Sequence, residues 1–157
     1  MGKTLVAYFS ATGTTKRAAQ ALADAIGADT YEIRPATAYT RADLNWQDRN
    51  SRSTIEMNDP ASRPEMADRA ADIAQYDRVF LGSPIWRYTA PKIILSFLES
   101  YDFAGRTVIP FATSGGSGMG NVSKELAAAC PGADVAEGKL LNGRLSADAL
   151  RQWASIY

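Results

Sequence analysis

Residues 4–15 read Thr4-Leu-Val-Ala-Tyr-Phe-Ser-Ala-Thr-Gly-Thr-Thr15, and the change of character inside this stretch decides the fold. Its first part, Thr4 to Ser10, is a nearly continuous apolar run with β-branched and aromatic members, as expected of a strand buried on both faces. It ends in hydroxyls and a glycine. From Lys16 to Ile26, the residues Ala18, Ala19, Leu22, Ala25 and Ile26 then recur at helical spacing, and Gly27 supplies a C-cap. Asp29 to Arg34 reads as a second short strand, stopped by Pro35. Strand, helix and strand in this order predict a parallel βαβ unit.

The same grammar continues downstream, with one interruption. Arg41 to Met57 is polar, with Leu44, Trp46, Ile55 and Met57 as its few apolar residues. A partial helix packed on the body by Trp46 is expected there, with a docking surface as the other reading. Pro64 to Ala74 predicts a helix opening on proline. Val79-Phe-Leu81 forms the core of a third strand, stopped by Gly82-Ser-Pro84, and Ala90-Pro91 opens a helix bearing Ile93, Ile94, Phe97 and Leu98. Arg106 to Ala112 is a fourth strand, with a bulge expected at Pro110, which has no amide hydrogen to donate. A glycine-rich turn from Thr113 to Asn121 feeds a helix reaching Cys130. Ala133 to Leu141 makes a fifth strand, and Ser146 caps a last helix, Ala147 to Ile156. Five strands alternating with helices predict an α/β fold, a doubly wound five-stranded parallel sheet in one domain spanning residues 1–157.

Composition removes several chemistries. The chain of 157 residues has no histidine and one cysteine. Ser-His-Asp and Cys-His catalysis therefore fall away, as does imidazole ligation of zinc. Cys130 alone cannot form an internal disulfide, which favours a reducing, cytoplasmic setting. No apolar run approaches the ~18 residues of a membrane span, and no signal-peptide core is visible. The 17 basic and 17 acidic residues sum to zero and give no reason to expect nucleic acid as a partner. They are unevenly placed, however. Residues 1–23 hold Lys3, Lys16 and Arg17 with no acid, residues 24–77 hold 11 acids against 6 bases, and Arg78 to Leu98 holds three bases and no acid.

In doubly wound sheets ligands bind beyond the carboxyl ends of the strands. Three loops meet that condition. Ser10-Ala-Thr-Gly-Thr-Thr15 places four hydroxyls and a glycine before a helix N-terminus, whose free amides and dipole favour an anion. The Walker spacing is absent, since Ala18 stands five residues after Gly13, so a bound phosphate monoester suits the loop better than a transferable polyphosphate. An ordinary hydroxyl-capped turn is the plainer alternative. Gly82-Ser-Pro-Ile-Trp-Arg-Tyr-Thr-Ala-Pro91 sets Trp86 and Tyr88 past a strand end, either to stack on a planar ligand or to cap the edge of the sheet. Thr113-Ser-Gly-Gly-Ser-Gly-Met-Gly-Asn121 lets backbone approach a ligand, though it misses the dinucleotide fingerprint because Asn121 stands where the third glycine belongs. A surface turn is the alternative. Cys130 reads as a small buried residue.

Taken together, Ser10-Ala-Thr-Gly-Thr-Thr15, Gly82-Ser-Pro-Ile-Trp86 and Thr113-Ser-Gly-Gly116 resemble the flavodoxin-like FMN-binding family, in particular its short bacterial group with a Pro-Ile-Trp middle loop. The resemblance covers nearly the whole chain. It implies three α/β/α layers and the strand order 2-1-3-4-5. It implies FMN as cofactor, with its phosphate held by Ser10, Thr12, Gly13, Thr14 and Thr15. Pro84, Ile85 and Trp86, followed by Arg87, would flank the isoalloxazine ring on one side, and Thr113, Ser114, Gly115, Gly116 and Gly118 on the other. Two features depart from the family pattern. The loops expected around the flavin are basic, through Lys16, Arg17, Arg87 and Lys92, which points to an acidic partner or an anionic substrate. The middle loop also has no glycine after Gly82, so strong semiquinone stabilisation does not follow.

The expected function is that of an electron carrier between protein partners, with no catalytic side chain and no metal. An FMN-dependent oxidoreductase passing electrons from NAD(P)H to a quinone is the first alternative, and a non-redox binding module on the same fold is the second.

Overall fold

Strand β1 (Lys3–Tyr8) occupies the middle of the sheet because both of its faces are apolar and each must be covered. The computed structural model describes residues 3–114, 118–143 and 145–157. On one side β1 pairs in parallel with β2 (Asp29–Glu32), and on the other with β3 (Tyr76–Pro84), itself paired in parallel with β4 (Thr107–Thr113). The edge is made by two short pieces, β5 (Asp134–Val135) and β6 (Lys139–Leu140), both parallel to β4. The order is β2-β1-β3-β4-β5, as the family resemblance implied.

Side chains alternate across the sheet and sort the helices into two layers. Leu5, Ala7, Phe9, Val79, Leu81 and Val108 face one core. Ile93, Ile94, Phe97 and Leu98 of α3 (Lys92–Ser100) and Val122 and Leu126 of α4 (Val122–Ala129) complete it. Val6, Tyr8, Phe80, Ile109 and Phe111 face the other core. There they meet Ala18, Ala19 and Leu22 of α1 (Thr14–Ile26) and Leu150 and Ala154 of α5 (Ala147–Ala154). Gly27 ends α1 in the left-handed conformation at φ 68°, and the Ser146 hydroxyl accepts from the Ala149 amide at 3.1 Å to begin α5. Both caps were legible in the sequence.

Four elements differ from expectation. Gly82 does not stop the third strand, which runs through Pro84. A Cβ at Gly82 would overlap the Phe111 ring, its register partner on β4, so the glycine makes room inside the strand rather than ending it. Pro110 causes no bulge against β3, where the register is continuous. The carbonyls of Arg106, Val108 and Ala112 accept from Asp134, Ala136 and Leu141, so the even-numbered residues of β4 face the edge strand. The donor missing at Pro110 therefore falls on that side, and it is the fifth strand that splits into β5 and β6.

The helix expected from Pro64 to Ala74 is replaced by extended chain. Pro35 and Met66 form an antiparallel bridge flanked by Ala36 N–H to Glu65 O (2.8 Å) and Ala67 N–H to Arg34 O (2.7 Å). Asp68 accepts from the Ala70 amide, from Arg34 and from Tyr31, a local alternative to helical bonding, and only a 3-10 turn at Ile73–Gln75 follows. The short α2 (Arg52–Asn58) does form, but Trp46 does not pack it on the body: the indole is 73% exposed. Arg52 holds this region instead. Its guanidinium lies 3.8 Å from the Tyr39 ring centre and donates to Glu56 (3.0 Å) and Thr37 O (2.7 Å).

Replacing Gly82 with alanine is expected to destabilise the protein by about 2–3 kcal/mol through overpacking against Phe111. Urea denaturation checks this, and an unchanged midpoint would mean that the Phe111 ring has room to move.

Candidate functional site

Because β1, β3 and β4 are parallel, the loops that follow them emerge at one edge of the sheet. Hydrogen bonds then join the three loops. The Thr15 and Thr113 hydroxyls lie 2.8 Å apart, both buried, linking the start of α1 to the end of β4. The Ile85 amide donates to Thr113 O at 3.0 Å, bringing in the middle loop.

The first loop turns on Gly13, at φ 95°, whose amide donates to Ser10 Oγ at 3.0 Å. Gly13 is also the N-cap of α1, and its carbonyl accepts from Arg17 at 3.1 Å. The amides of Thr14, Thr15 and Lys16 find no acceptor among the described residues. Thr12 and Thr14 are exposed beside them, Ser10 is half-buried, and neither Asp nor Glu occurs in the loop. This arrangement offers donors of both kinds to an anion, as the residue types suggested.

In the middle loop Pro84, Ile85 and Trp86 are half-buried and Arg87 is exposed. Trp86 sits edge-on to Phe9 (5.8 Å) and Tyr39 (5.4 Å), and these two rings contact each other at 5.7 Å. The indole thus packs at the sheet edge, and the side chain also lines an open cleft. Burial and the neighbouring Glu56 carboxylate push the Tyr39 phenol above its ordinary range, so it stays protonated. Trp86 and Thr89 close a tight turn through reciprocal bonds of 2.8 and 3.2 Å, with Arg87 (φ 50°) and Tyr88 (φ 67°) both left-handed. Two non-glycine residues held there store conformational strain at the site. Asn121 N–H to Tyr88 O (3.0 Å) pins this turn to the third loop, where a Cβ at Gly120 would overlap the same carbonyl.

Thr113 is buried and Ser114 is half-buried, its amide donating to Asn142 Oδ1 at 2.9 Å, while Gly118 is exposed. Gly115 and Gly116, also expected at the site, lie outside the described residues. The basic rim is smaller than the sequence suggested. Lys16, Arg17 and Arg87 are exposed, but Lys92 is only 9% exposed in the inward-facing first turn of α3. Arg87 donates to Asn58 Oδ1.

The cleft measures about 770 Å³, within the range of small-molecule sites. Ile85, Trp86, Arg87 and Tyr88 form one wall, with Ser114 beside them. The other wall was missed by sequence reasoning as part of a site: Leu44, Trp46, Ser53, Thr54 and Met57, from the polar segment and α2. An exposed tryptophan in a polar stretch followed by Ser51-Arg-Ser-Thr54 was the available clue. Cys130 is buried, its thiol donating to Leu126 O at 3.0 Å and held above its usual pKa by desolvation, which leaves it inert. Among the described residues no group of three or more His, Cys, Asp or Glu could hold a metal ion, and no helix is long and apolar enough to cross a membrane.

Two solved structures, of candidate flavoproteins from Bacteroides, are similar over nearly the entire chain. The protein of Bacteroides eggerthii DSM 20697 is 50% identical, with 99% of this chain and 98% of that one covered and a TM-score of 0.94. The protein of Bacteroides uniformis ATCC 8492 is 53% identical, with 98% of each chain covered and a TM-score of 0.92. A flavoprotein of Lactobacillus acidophilus NCFM, solved in complex with FMN, shares the fold at 22% identity and a TM-score of 0.71, over 98% of this chain and 99% of its own. No functionally curated protein matches at a significant level. The family described as Flavodoxin matches residues 3–156, and the chain therefore belongs to the flavodoxin family.

Proposed function

We propose that this protein binds FMN and serves as an electron carrier. The observation that carries the reading is the N-terminus of α1, where three backbone amides without acceptors among the described residues stand among the hydroxyls of Ser10, Thr12 and Thr14, in a loop that contains neither Asp nor Glu. That donor set fits a phosphate monoester. Ser10, Thr12, Gly13, Thr14 and Thr15 would hold the phosphate. Pro84, Ile85 and Trp86 would line the flavin ring on one side, with Thr113, Ser114 and the glycines at 115, 116 and 118 on the other. The bound flavin supplies the redox chemistry.

The chain's own residues then have positioning tasks. Ser10 Oγ is already engaged by the Gly13 amide, which holds the turn shut before a ligand arrives. Thr15 and Thr113 share one buried hydrogen bond, fixing the spacing between the phosphate loop and the third loop. Phe9 and Tyr39 hold Trp86 edge-on, so its indole is presented rather than left free to turn. No side chain need act as acid or base, in keeping with a chain without histidine. The exposed Lys16, Arg17 and Arg87 favour an acidic redox partner, by attraction that falls as salt rises. The relative solved with FMN supports the cofactor at the level of the fold. A quinone-type oxidoreductase would use the same flavin site.

Flavin absorbance during titration of the apoprotein tests the reading, and absence of FMN uptake overturns it. Thr12→Ala is expected to weaken FMN by about 1–3 kcal/mol, the cost of one lost hydrogen bond to a charged group. Unchanged affinity would remove Thr12 from the phosphate site. Trp86→Ala is expected to raise the emission of bound FMN, because a stacked indole quenches it, while the lost packing on Phe9 and Tyr39 lowers stability by about 1–3 kcal/mol. Unchanged emission would place Trp86 away from the ring.

A further inference from the structure

The edge of the sheet changes register part-way along β4. Thr107 and Val108 pair with Asp134 and Val135, whereas Phe111 and Ala112 pair with Lys139 and Leu140. Three positions separate Val108 from Phe111 but four separate Val135 from Lys139, so the edge carries one extra residue. The insertion falls opposite Pro110, which has no amide hydrogen to give. There Gly138 passes so close to the Pro110 carbonyl that a Cβ would overlap it. The bond from Leu141 N–H to Ala112 O (2.8 Å) continues the shifted register. A shift of one residue exchanges the faces of a strand. Carried forward, the shifted pairing sets Asn142 beside Ser114, where the register before the break would have set Leu141.

Asn142 uses that position. Its Oδ1 accepts from the Ser114 amide at 2.9 Å, and Gly143 turns the chain away directly afterwards at φ 73°. The Ser114 amide belongs to the same peptide plane as the Thr113 carbonyl, which accepts from Ile85 N–H at 3.0 Å. This plane is therefore held at both of its polar atoms, from the middle loop on one side and from the loop after β6 (Lys139–Leu140) on the other. With one bond it could tilt about the other; with both, it sets the direction in which the third loop leaves the sheet. Thr113 is also bonded to Thr15 through its hydroxyl, so the junction of residues 113 and 114 ties four loops together at one edge.

We infer that Asn142 is a positioning residue of the flavin site: it holds the peptide between Thr113 and Ser114, and through it the third loop, at the spacing from the middle loop that admits the isoalloxazine ring. The extra residue opposite Pro110 delivers a carboxamide to this place instead of a leucine. The inference rests on the flavin reading above and extends it to a fourth loop. Asn142 acts on the ring side of the site, so its loss weakens flavins with and without a phosphate alike.

Calorimetric titration of the apoprotein with FMN and, separately, with riboflavin reads this role. Asn142→Ala is expected to weaken both flavins by the same factor, roughly fivefold, the equivalent of one hydrogen bond. Asn142→Asp keeps an acceptor in place and is expected to bind riboflavin, which is uncharged, within about twofold of the parent. Amide hydrogen exchange in the apoprotein gives a readout independent of any flavin. The Ser114 amide is expected to exchange roughly fivefold faster in Asn142→Ala and at the parent rate in Asn142→Asp. Flavin affinities or a Ser114 exchange rate unchanged in Asn142→Ala overturn the inference and leave the FMN reading standing. So does loss of FMN affinity with riboflavin unaffected, which would assign Asn142 to the phosphate. An Asn142→Asp variant as weak for riboflavin as Asn142→Ala also overturns it, because the acceptor would not be what matters. A parent protein that takes up no FMN overturns the underlying reading, and this inference with it.

Discussion

The buried hydrogen bond between the Thr15 and Thr113 hydroxyls is the contact on which the geometry of the site depends. It spans from the first turn of α1 to the last residue of β4, residues 98 positions apart in sequence. Parallel pairing brings the carboxyl ends of β1, β3 and β4 to one edge, but pairing alone does not set the distance between the loops that follow. Thr113 does, by holding Thr15 through its side chain and Ile85 through its carbonyl. Removing either hydroxyl would leave the other buried and unpaired, a penalty of about 1–3 kcal/mol.

Around this hub, the molecule combines a rigid half and a more polar half. The rigid half is the sheet with its two cores, whose buried Phe9 seats Trp86 edge-on. The polar half is the excursion between the second and third strands, closed at its base by the Pro35–Met66 bridge and clasped by Arg52 over Tyr39. Both halves meet at the cleft. The same side chains that stiffen the excursion, Tyr39 and α2, thus also place Trp46, Ser53 and Thr54 along the cleft wall opposite the middle loop. The acid-rich stretch of residues 24–77 belongs largely to this excursion, yet among the described residues no acid lines the cleft; Glu56 and Asp43 are turned to Arg52 and Tyr39.

Much of this was legible in the sequence wherever local chemistry and tertiary packing agree. The apolar run at Thr4 to Phe9 and the Gly27 and Ser146 caps each have one physically sensible environment, and they occupy it. Sequence reasoning failed where a residue's role is set by something distant. Gly82 reads as a terminator until Phe111 is seen to need its space. Pro110 reads as a flaw in its own strand, although the consequence falls on the neighbouring one. Pro64 to Ala74 has helical spacing, but pairing with Arg34 and Ala36 and the bonds to Asp68 win. Lys92 reads as a surface cation, and Trp46 as an anchor, because residue type alone does not report which way a side chain faces. The second wall of the cleft was hidden for the same reason.

The central claim is that the turn before α1 recognises a phosphate and thereby holds a flavin mononucleotide. Parallel calorimetric titrations of the apoprotein with FMN and with riboflavin, which has the same ring and ribityl chain but no phosphate, test it most directly. Tight one-to-one binding of FMN with riboflavin weaker by at least about a hundredfold, the equivalent of roughly 3 kcal/mol, is the predicted result. Equal affinity for the two would contradict the account, since the amides of Thr14, Thr15 and Lys16, which find no acceptor among the described residues, would then contribute nothing to holding the ligand.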